Sequence, residues 1–366
     1  MTDYQKLRLG AVQAAPVWLD LEKTVEKACG LIREAGENGA QFIGFPENYL
    51  PGYPAWYNFL PATSKRSRDL AVRLFKNSVE IKSKEVDALC EAAAESRVFV
   101  VMGITERRPD TTGTLYNTQL FIDQYGKIVG KHQKIMPTVG ERLVHAAGSG
   151  KTLGSVSSSW GPVSGLICGE NSNPMAVGLL ATQYPRIHVA NWPYGYIPNT
   201  IYPAHQLASR NVAYMCKCYV ISAVGIYTPE IIDDIAATDE DRKILSDPSQ
   251  AGGSVIIDPH ANIIAGPLEG DKEGIIYADA NLDLAVEAHL VHDYGGHYNR
   301  PDIFQLSVAG ADMTLIEDAS KKQRPPSQEA AGALETEVTA EFSSSPMISF
   351  KGGFSGRHPN DAGNNS

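Results

Sequence analysis

The chain has 366 residues, 43% hydrophobic and 20% charged, which is enough to bury a large core and is the composition of an ordinary soluble globular protein. A net charge of −10 argues against a nucleic-acid or anionic-membrane surface, and no run reaches the roughly 18 apolar residues a membrane helix needs. The five cysteines (Cys29, Cys90, Cys168, Cys216 and Cys218) are odd in number and fit neither a disulfide framework nor a zinc ribbon; with a start, M-T-D-Y-Q-K, that lacks a signal-peptide core, they point to a reducing, cytoplasmic setting.

Leu7–Ala14 alternates and predicts a strand; Leu21–Glu37 has apolar residues at helical spacing. Gln41–Phe45 is a short apolar strand that runs into Pro46-Glu47, and Val79–Arg97 predicts a helix before a strand at Val98–Ile104. This β-α-β-α-β order indicates an α/β layered domain. Asn117–Ile122 and Lys127–Ile135 flank a Gly-containing turn and read as a hairpin. Val163–Cys168, Ile187–Asn191 and Tyr219–Gly225 read as buried strands joined by helices at Pro174–Thr182 and His205–Cys218. A second turn pattern follows through Gly253–Ile257, Ile263–Gly266 and Ile275–Ala278. Composition then shifts to Ser, Pro, Ala, Glu and Gly, so residues 1–320 are expected to form the folded domain and Lys321–Ser366 a disordered or loosely docked tail.

The stretch from Gly165 to Pro174, G-L-I-C-G-E-N-S-N-P, carries the chemistry. An apolar strand ends in Cys168 and an Asn-Pro helix start follows, so the cysteine sits on a strand-to-helix elbow with helix-terminal N–H groups nearby. That setting favours a thiolate and covalent catalysis by Cys168. Three other groups are candidates to serve it. Glu47 follows a strand end in F-P-E-N-Y, where α/β sheets place chemistry, and a carboxylate held in apolar surroundings there acts as a base near neutral pH. Lys134, in H-Q-K-I-M-P-T, supplies fixed positive charge; Glu141, in P-T-V-G-E-R, holds Lys134 or orders a water, or pairs with Arg142. A Cys–His pairing with His205 or His297 stays open on residue types alone.

Together these segments resemble the nitrilase (carbon–nitrogen hydrolase) superfamily, and its nitrilase branch most closely, over roughly Leu7 to Leu315. The family's Glu–Lys–Cys triad falls on Glu47, Lys134 and Cys168, and its second glutamate on Glu141; P-G-Y-P-A-W (Pro51–Trp56), A-N-W-P (Ala190–Pro193) and G-H-Y-N-R-P-D (Gly296–Asp302) also match. The resemblance implies a four-layer α-β-β-α sandwich, no metal or organic cofactor, and hydrolysis of an organic nitrile to the acid and ammonia. Cys168 would attack the nitrile carbon while Glu47 takes the thiol proton, and Lys134 would stabilise the nitrogen-bearing intermediate. It also implies a homo-oligomer, with the segment around His289–Asp302 and the tail as candidate contacts. Tyr53, Trp56 and Trp192 fit an apolar wall for the substrate, against the alternative of ordinary core aromatics.

The chain departs from the family in places. Gly169 stands where nitrilases often carry Trp, His145-Ala146 replaces a Trp-Gly pair, and many members have a Glu near Met215. The smaller Gly169 is expected to open space for substrate. An amidase of the same superfamily is the runner-up; a Cys–His hydrolase and a non-enzymatic binding protein are the readings from other classes. A metal site from His289, His292, His297 and Asp293 lacks the H-E-x-x-H spacing.

Overall fold

Twelve strands and eight α-helices build the protein, whose structure is a computed structural model describing residues 6–197 and 201–310; the elements named are those of the described residues. These residues fall within one unit, Met1–Met313, and the expected tail at 321–366 lies outside the described residues. The first half runs β1 (Lys6–Gln13), α1 (Leu21–Glu37), β2 (Phe42–Gly44), α2 (Lys65–Lys76), α3 (Lys84–Ser96), β3 (Phe99–Arg107), β4 (Leu115–Ile122) and β5 (Ile128–Gln133). The second runs β6 (Val156–Ser158), β7 (Gly161–Ile167), α4 (Pro174–Ala181), β8 (Ile187–Trp192), α5 (Ile201–Cys216) and β9 (Tyr219–Val224). It continues with α6 (Pro229–Ile235), α7 (Asp239–Leu245), β10 (Val255–Ile257), β11 (Ile263–Ala265), β12 (Gly274–Asn281) and α8 (Asp283–Val291).

The strands form two six-stranded sheets, in the orders β12-β1-β2-β3-β4-β5 and β11-β10-β9-β8-β7-β6. In each, three central strands are parallel (β1, β2, β3 and β7, β8, β9) and the flanking strands antiparallel. The sheets pack face to face through Leu9, Phe42, Phe99 and Val101 of one and Val163, Val189, Ile221 and Ile256 of the other. α1 and α3 cover the first sheet, burying Ala28, Ile32 and Leu89 over Ile43 and Val100; α4 and α5 cover the second, burying Val177, Leu180 and Val212 over Leu166 and Val220. The expected α-β-β-α sandwich is therefore present. Because both faces of the central strands are covered, they read as continuous apolar runs in the sequence.

Several elements differ from expectation, among them β6, α6, α7 and α8, which were not foreseen, and α5, which begins at Ile201; three differences have a clear physical reason. α3 begins at Lys84, not Val79, because Ser83 Oγ accepts from the Val86 N–H and caps the helix, while Val79 bridges to Glu106 as an extended segment. α2 was not foreseen, since its sequence K-R-S-R-D-L-A-V-R-L-F-K buries only Ser67, Leu70 and Leu74. β12 is longer than the expected Ile275–Ala278 and leaves the β10–β11 hairpin's sheet to pair with β1, a long-range contact that turn patterns do not encode.

Candidate active site

The ends of β2, β5, β7 and β8 and the start of β4 gather at one end of the sandwich, and the backbone there is pinned residue by residue. β2 continues past Gly44: the Phe45 N–H donates to Val101 O (2.9 Å), and the Glu47 N–H crosses to Trp192 O in the other sheet (3.2 Å). Pro46 lies so close to β3 that a Cβ on Gly103 would stand 2.0 Å from the Pro46 carbonyl oxygen, so only glycine fits at 103. Lys134 follows β5, its N–H donating to Asn117 O and its carbonyl accepting from the Gly148 N–H, both at 2.8 Å. Glu141 sits in a 3-10 turn, Val139–Leu143, and its Oε2 caps the turn by accepting from the Thr138 N–H at 2.9 Å. Cys168 follows β7 with φ +51°, the left-handed turn that throws its side chain off the strand end.

These side chains meet in a network shut off from solvent. Lys134 Nζ donates to Glu47 Oε1 and to Glu141 Oε2, each at 2.7 Å, and all three side chains are fully buried. Asn117 Nδ2 donates to Glu47 Oε1 (2.6 Å) and Glu141 Oε1 (2.7 Å), so one amide holds both carboxylates. Glu141 Oε1 also meets His145 Nδ1 at 3.1 Å. Glu47 Oε2 is buried and has no hydrogen-bond partner among the described residues, which leaves it the oxygen that can take up a proton.

The electrostatics separate the two carboxylates. Burial raises the Glu47 pKa to about 7; Lys134 opposes that and Glu141 adds to it. Burial also penalises Glu141, but Lys134 and His145 outweigh it and hold this carboxyl well below the usual range. Lys134 loses solvation too, yet the charges of Glu47 and Glu141 keep it a cation well above its ordinary pKa. A base poised near neutrality thus lies beside a permanent anion and a permanent cation.

Cys168 corrects one expectation. The elbow was expected to favour a thiolate; burial instead pushes the thiol pKa far up, Glu47 and Glu141 add to this, and Lys134 and the Gly169 N–H only partly offset it. The start of the turn Cys168–Ser172 supplies too little positive potential against a desolvated site that already holds two carboxyl groups. At rest the Cys168 side chain is a thiol, so any nucleophilic role requires its proton to be taken up by a neighbouring group.

A second tier of buried polar groups, which sequence reasoning missed, holds the elbow. Asn171 Nδ2 donates to Leu166 O and Cys168 O, both at 3.0 Å, and its Oδ1 accepts from His188 Nε2 at 2.9 Å. His188 Nδ1 accepts from Ser164 Oγ at 2.8 Å; burial and the nearby charge of His132 lower its pKa to about 3, so it stays neutral. Glu170 Oε2 accepts from the Ile167 N–H (2.9 Å) and His132 Nε2 (2.8 Å), and its Oε1 from the Ile135 N–H (2.7 Å). The E-N pair after Gly169 was visible as polar residues on the elbow, but nothing local identified His132 and His188 as its partners, or Ser164 behind His188.

The other expected residues divide. Tyr53 stays beside the site: it stacks on Tyr196, with hydroxyls 3.2 Å apart, and lines a small cavity with Glu47, Tyr194 and Tyr227. Trp56 is not among the residues that line this cavity. It is fully buried and packs edge-on to Trp18 at 6.0 Å, within a core of Leu70, Leu74 and Ile235. Trp192 is buried in the same cluster as Cys168, and its indole N–H donates to Ser209 Oγ at 3.2 Å. His205 is buried between Trp192 and Tyr202 and takes no part in the Cys168 network, and His297 is exposed. Arg142 turns away from Glu141 and donates from Nε to Pro137 O at 2.9 Å. Among the described residues no three His, Cys, Asp or Glu side chains come together as a ligand set; His289 bonds Ala285 O and His292 packs on Tyr298.

Comparison with known proteins gives a consistent result. A family model described as carbon–nitrogen hydrolase matches residues 8–289. A protein named "Nitrilase 2" from an unknown prokaryotic organism is 39% identical over 318 residues, which cover 86% of this chain and 96% of that one. An "Aliphatic nitrilase" from Rhodococcus rhodochrous is 34% identical, covering 87% of each chain. The crystal structure of Saccharomyces cerevisiae Nit3, a member of the nitrilase superfamily, superposes with a TM-score of 0.60 at 20% identity, covering 78% of this chain and 94% of that one.

Proposed function

The chain belongs to the carbon–nitrogen hydrolase family, and we propose that it is a nitrilase that converts an organic nitrile to the carboxylic acid and ammonia through a covalent intermediate on Cys168. The observation that carries this reading is the buried contact of Glu47, Lys134 and Glu141 beside Cys168. Cys168 Sγ attacks the nitrile carbon as its proton passes to the unpartnered Oε2 of Glu47. Glu47 then protonates the nitrile nitrogen, and the product is a thioimidate. Lys134, a cation with no means of losing its proton in this setting, stabilises charge on that nitrogen. Glu47 next deprotonates a water that adds to the thioimidate carbon and returns that proton to nitrogen, giving a neutral tetrahedral adduct; passage of the adduct's hydroxyl proton to the nitrogen by way of Glu47 then expels ammonia and leaves a thioester. A second water cleaves the thioester, releasing the acid and restoring the thiol. Glu141, pinned by Asn117, Thr138 and His145, fixes the position of Lys134.

Of the three aromatic residues expected against the substrate, Tyr53 is retained and Trp192 frames the nucleophile's end of β8. The substrate is a small organic nitrile. A cytoplasmic location is supported by five free cysteines, and no described helix is long and apolar enough to cross a membrane. A homo-oligomer is supported by exposed apolar side chains on several helices, among them Met175, Leu207 and Leu290, and by Phe304. Sedimentation velocity tests it; a single species of monomer mass at micromolar concentration refutes it.

The test of function is ammonia release from aliphatic, aryl and arylacetonitriles and the matching amides, with Cys168→Ala as control. Acid and ammonia from nitriles, lost in the variant, is the expected result. Turnover of amides alone would make the protein an amidase using the same residues.

A further inference from the structure

Lys134 and Cys168 come from different sheets, so something must set the distance between them. β5, which leads into Lys134, lies at one edge of the first sheet, and β7, which leads into Cys168, lies in the second. One side chain bonds to both connections. Glu170 accepts from the N–H of Ile135, the residue after Lys134, and from the N–H of Ile167, the residue before Cys168. We infer that Glu170 is a positioning residue whose carboxylate clamps the charge-stabilising lysine to the nucleophile elbow. The inference rests on the roles proposed above for Cys168 and Lys134.

The chemistry of the clamp admits little else at this position. Glu170 is nearly inaccessible, at 4% exposure, and its two oxygens receive three N–H groups within 2.7–2.9 Å. The third donor, His132, has its other nitrogen 3.1 Å from Thr152 O, so both ring nitrogens face acceptors and the ring is an imidazolium. Its charge balances the buried carboxylate, and Glu170 holds the imidazole pKa up against the effect of burial. A carboxamide cannot reproduce this. Either orientation of a glutamine at 170 turns its NH2 toward a backbone N–H that needs an acceptor. Aspartate is one methylene shorter and cannot span both connections. Displacing either connection moves Lys134 relative to Cys168, and a displacement of about 1 Å costs on the order of 100-fold in rate.

The experiment compares wild type, Glu170→Gln, Lys134→Ala and the double variant. Ammonia release gives kcat and KM, and the rate of Cys168 alkylation by iodoacetamide is followed from pH 6 to 9, with folding checked by circular dichroism. The clamp predicts that Glu170→Gln lowers kcat per alkylatable Cys168 by about 100-fold with KM little changed. It further predicts that Glu170→Gln slows alkylation in the wild-type background and has little further effect once Lys134 is alanine. A loss of folded protein with normal kcat per reactive cysteine would overturn the inference, as would an undiminished effect in the Lys134→Ala background. Should Glu170→Gln not fold, Glu170→Asp takes its place: it keeps the negative charge that faces His132 but cannot span both connections, and it must lower kcat rather than raise KM. The alkylation arm needs no nitrile, so failure of the wild type to turn over nitriles would refute the proposed function without deciding the clamp.

Discussion

Asn117 gives the sharpest test of Glu47 as the base. It is buried, and its one amide nitrogen donates to Glu47 at 2.6 Å and to Glu141 at 2.7 Å. Asn117→Leu removes both bonds at similar volume. A hydrogen bond to an ionised group is worth about 1.5–3 kcal/mol, and about 1.4 kcal/mol corresponds to one pKa unit, so Glu47 should rise by about one to two units. Since this bond favours the charged form, its loss shifts the titration upward, from about 7 toward about 8–9. In the wild type, kcat/KM for ammonia release should fall as pH drops through about 7, where Glu47 takes up a proton and can no longer accept one from Cys168. In Asn117→Leu the same fall should begin at higher pH. At pH 7 the ionised fraction drops from about half to about 1–10%, so activity falls about 5- to 50-fold and is largely regained near pH 9. An unmoved acid limb would refute the assignment, and so would a loss that alkaline pH does not restore.

Other consequences follow from the same geometry. Glu141→Gln removes a negative charge that raises the Glu47 pKa, so the acid limb of whatever activity remains should move to lower pH; a shift upward would contradict the electrostatics drawn here. A Cβ built on Gly169 meets nothing nearer than Thr138 Oγ1 at 4.0 Å, so Gly169→Trp should fold with a near-normal Tm while raising KM for bulky nitriles. An unchanged substrate-size profile would show that the space beside Gly169 is not used. Trp56→Ala should cost about 3–5 kcal/mol of stability as a core cavity, and the milder Trp56→Phe should lower Tm while leaving KM alone. A KM change in Trp56→Phe would return this residue to the substrate wall.

How much of the site could be read in advance depended on where its information lies. Glu47, Lys134 and Cys168 each end a strand in a short, recognisable string, and Cys168 carries its elbow beside it in the sequence. The sandwich was legible because its parallel strands are buried on both faces and therefore run apolar. Asn117, His132 and His188 were not legible, since each is a polar residue in a strand whose partner lies 17 to 70 residues away or in the other sheet. Trp56 was ambiguous for a related reason: an aromatic residue in a Pro-rich turn looks the same from the sequence whether it faces Trp18 or a ligand. The thiol state of Cys168 went the other way, because a local rule about helix ends gave way to desolvation by the packed site around it.

The central claim is that nitrile carbon becomes covalently bound to Cys168. Acid-quenched turnover examined by intact-mass spectrometry and peptide mapping tests it directly. The expected result is an acyl or imidoyl adduct on the peptide containing Cys168, present during turnover, gone once substrate is spent, and absent in Cys168→Ala, which releases no ammonia. Ammonia release by Cys168→Ala, or an adduct on any other residue, would contradict it.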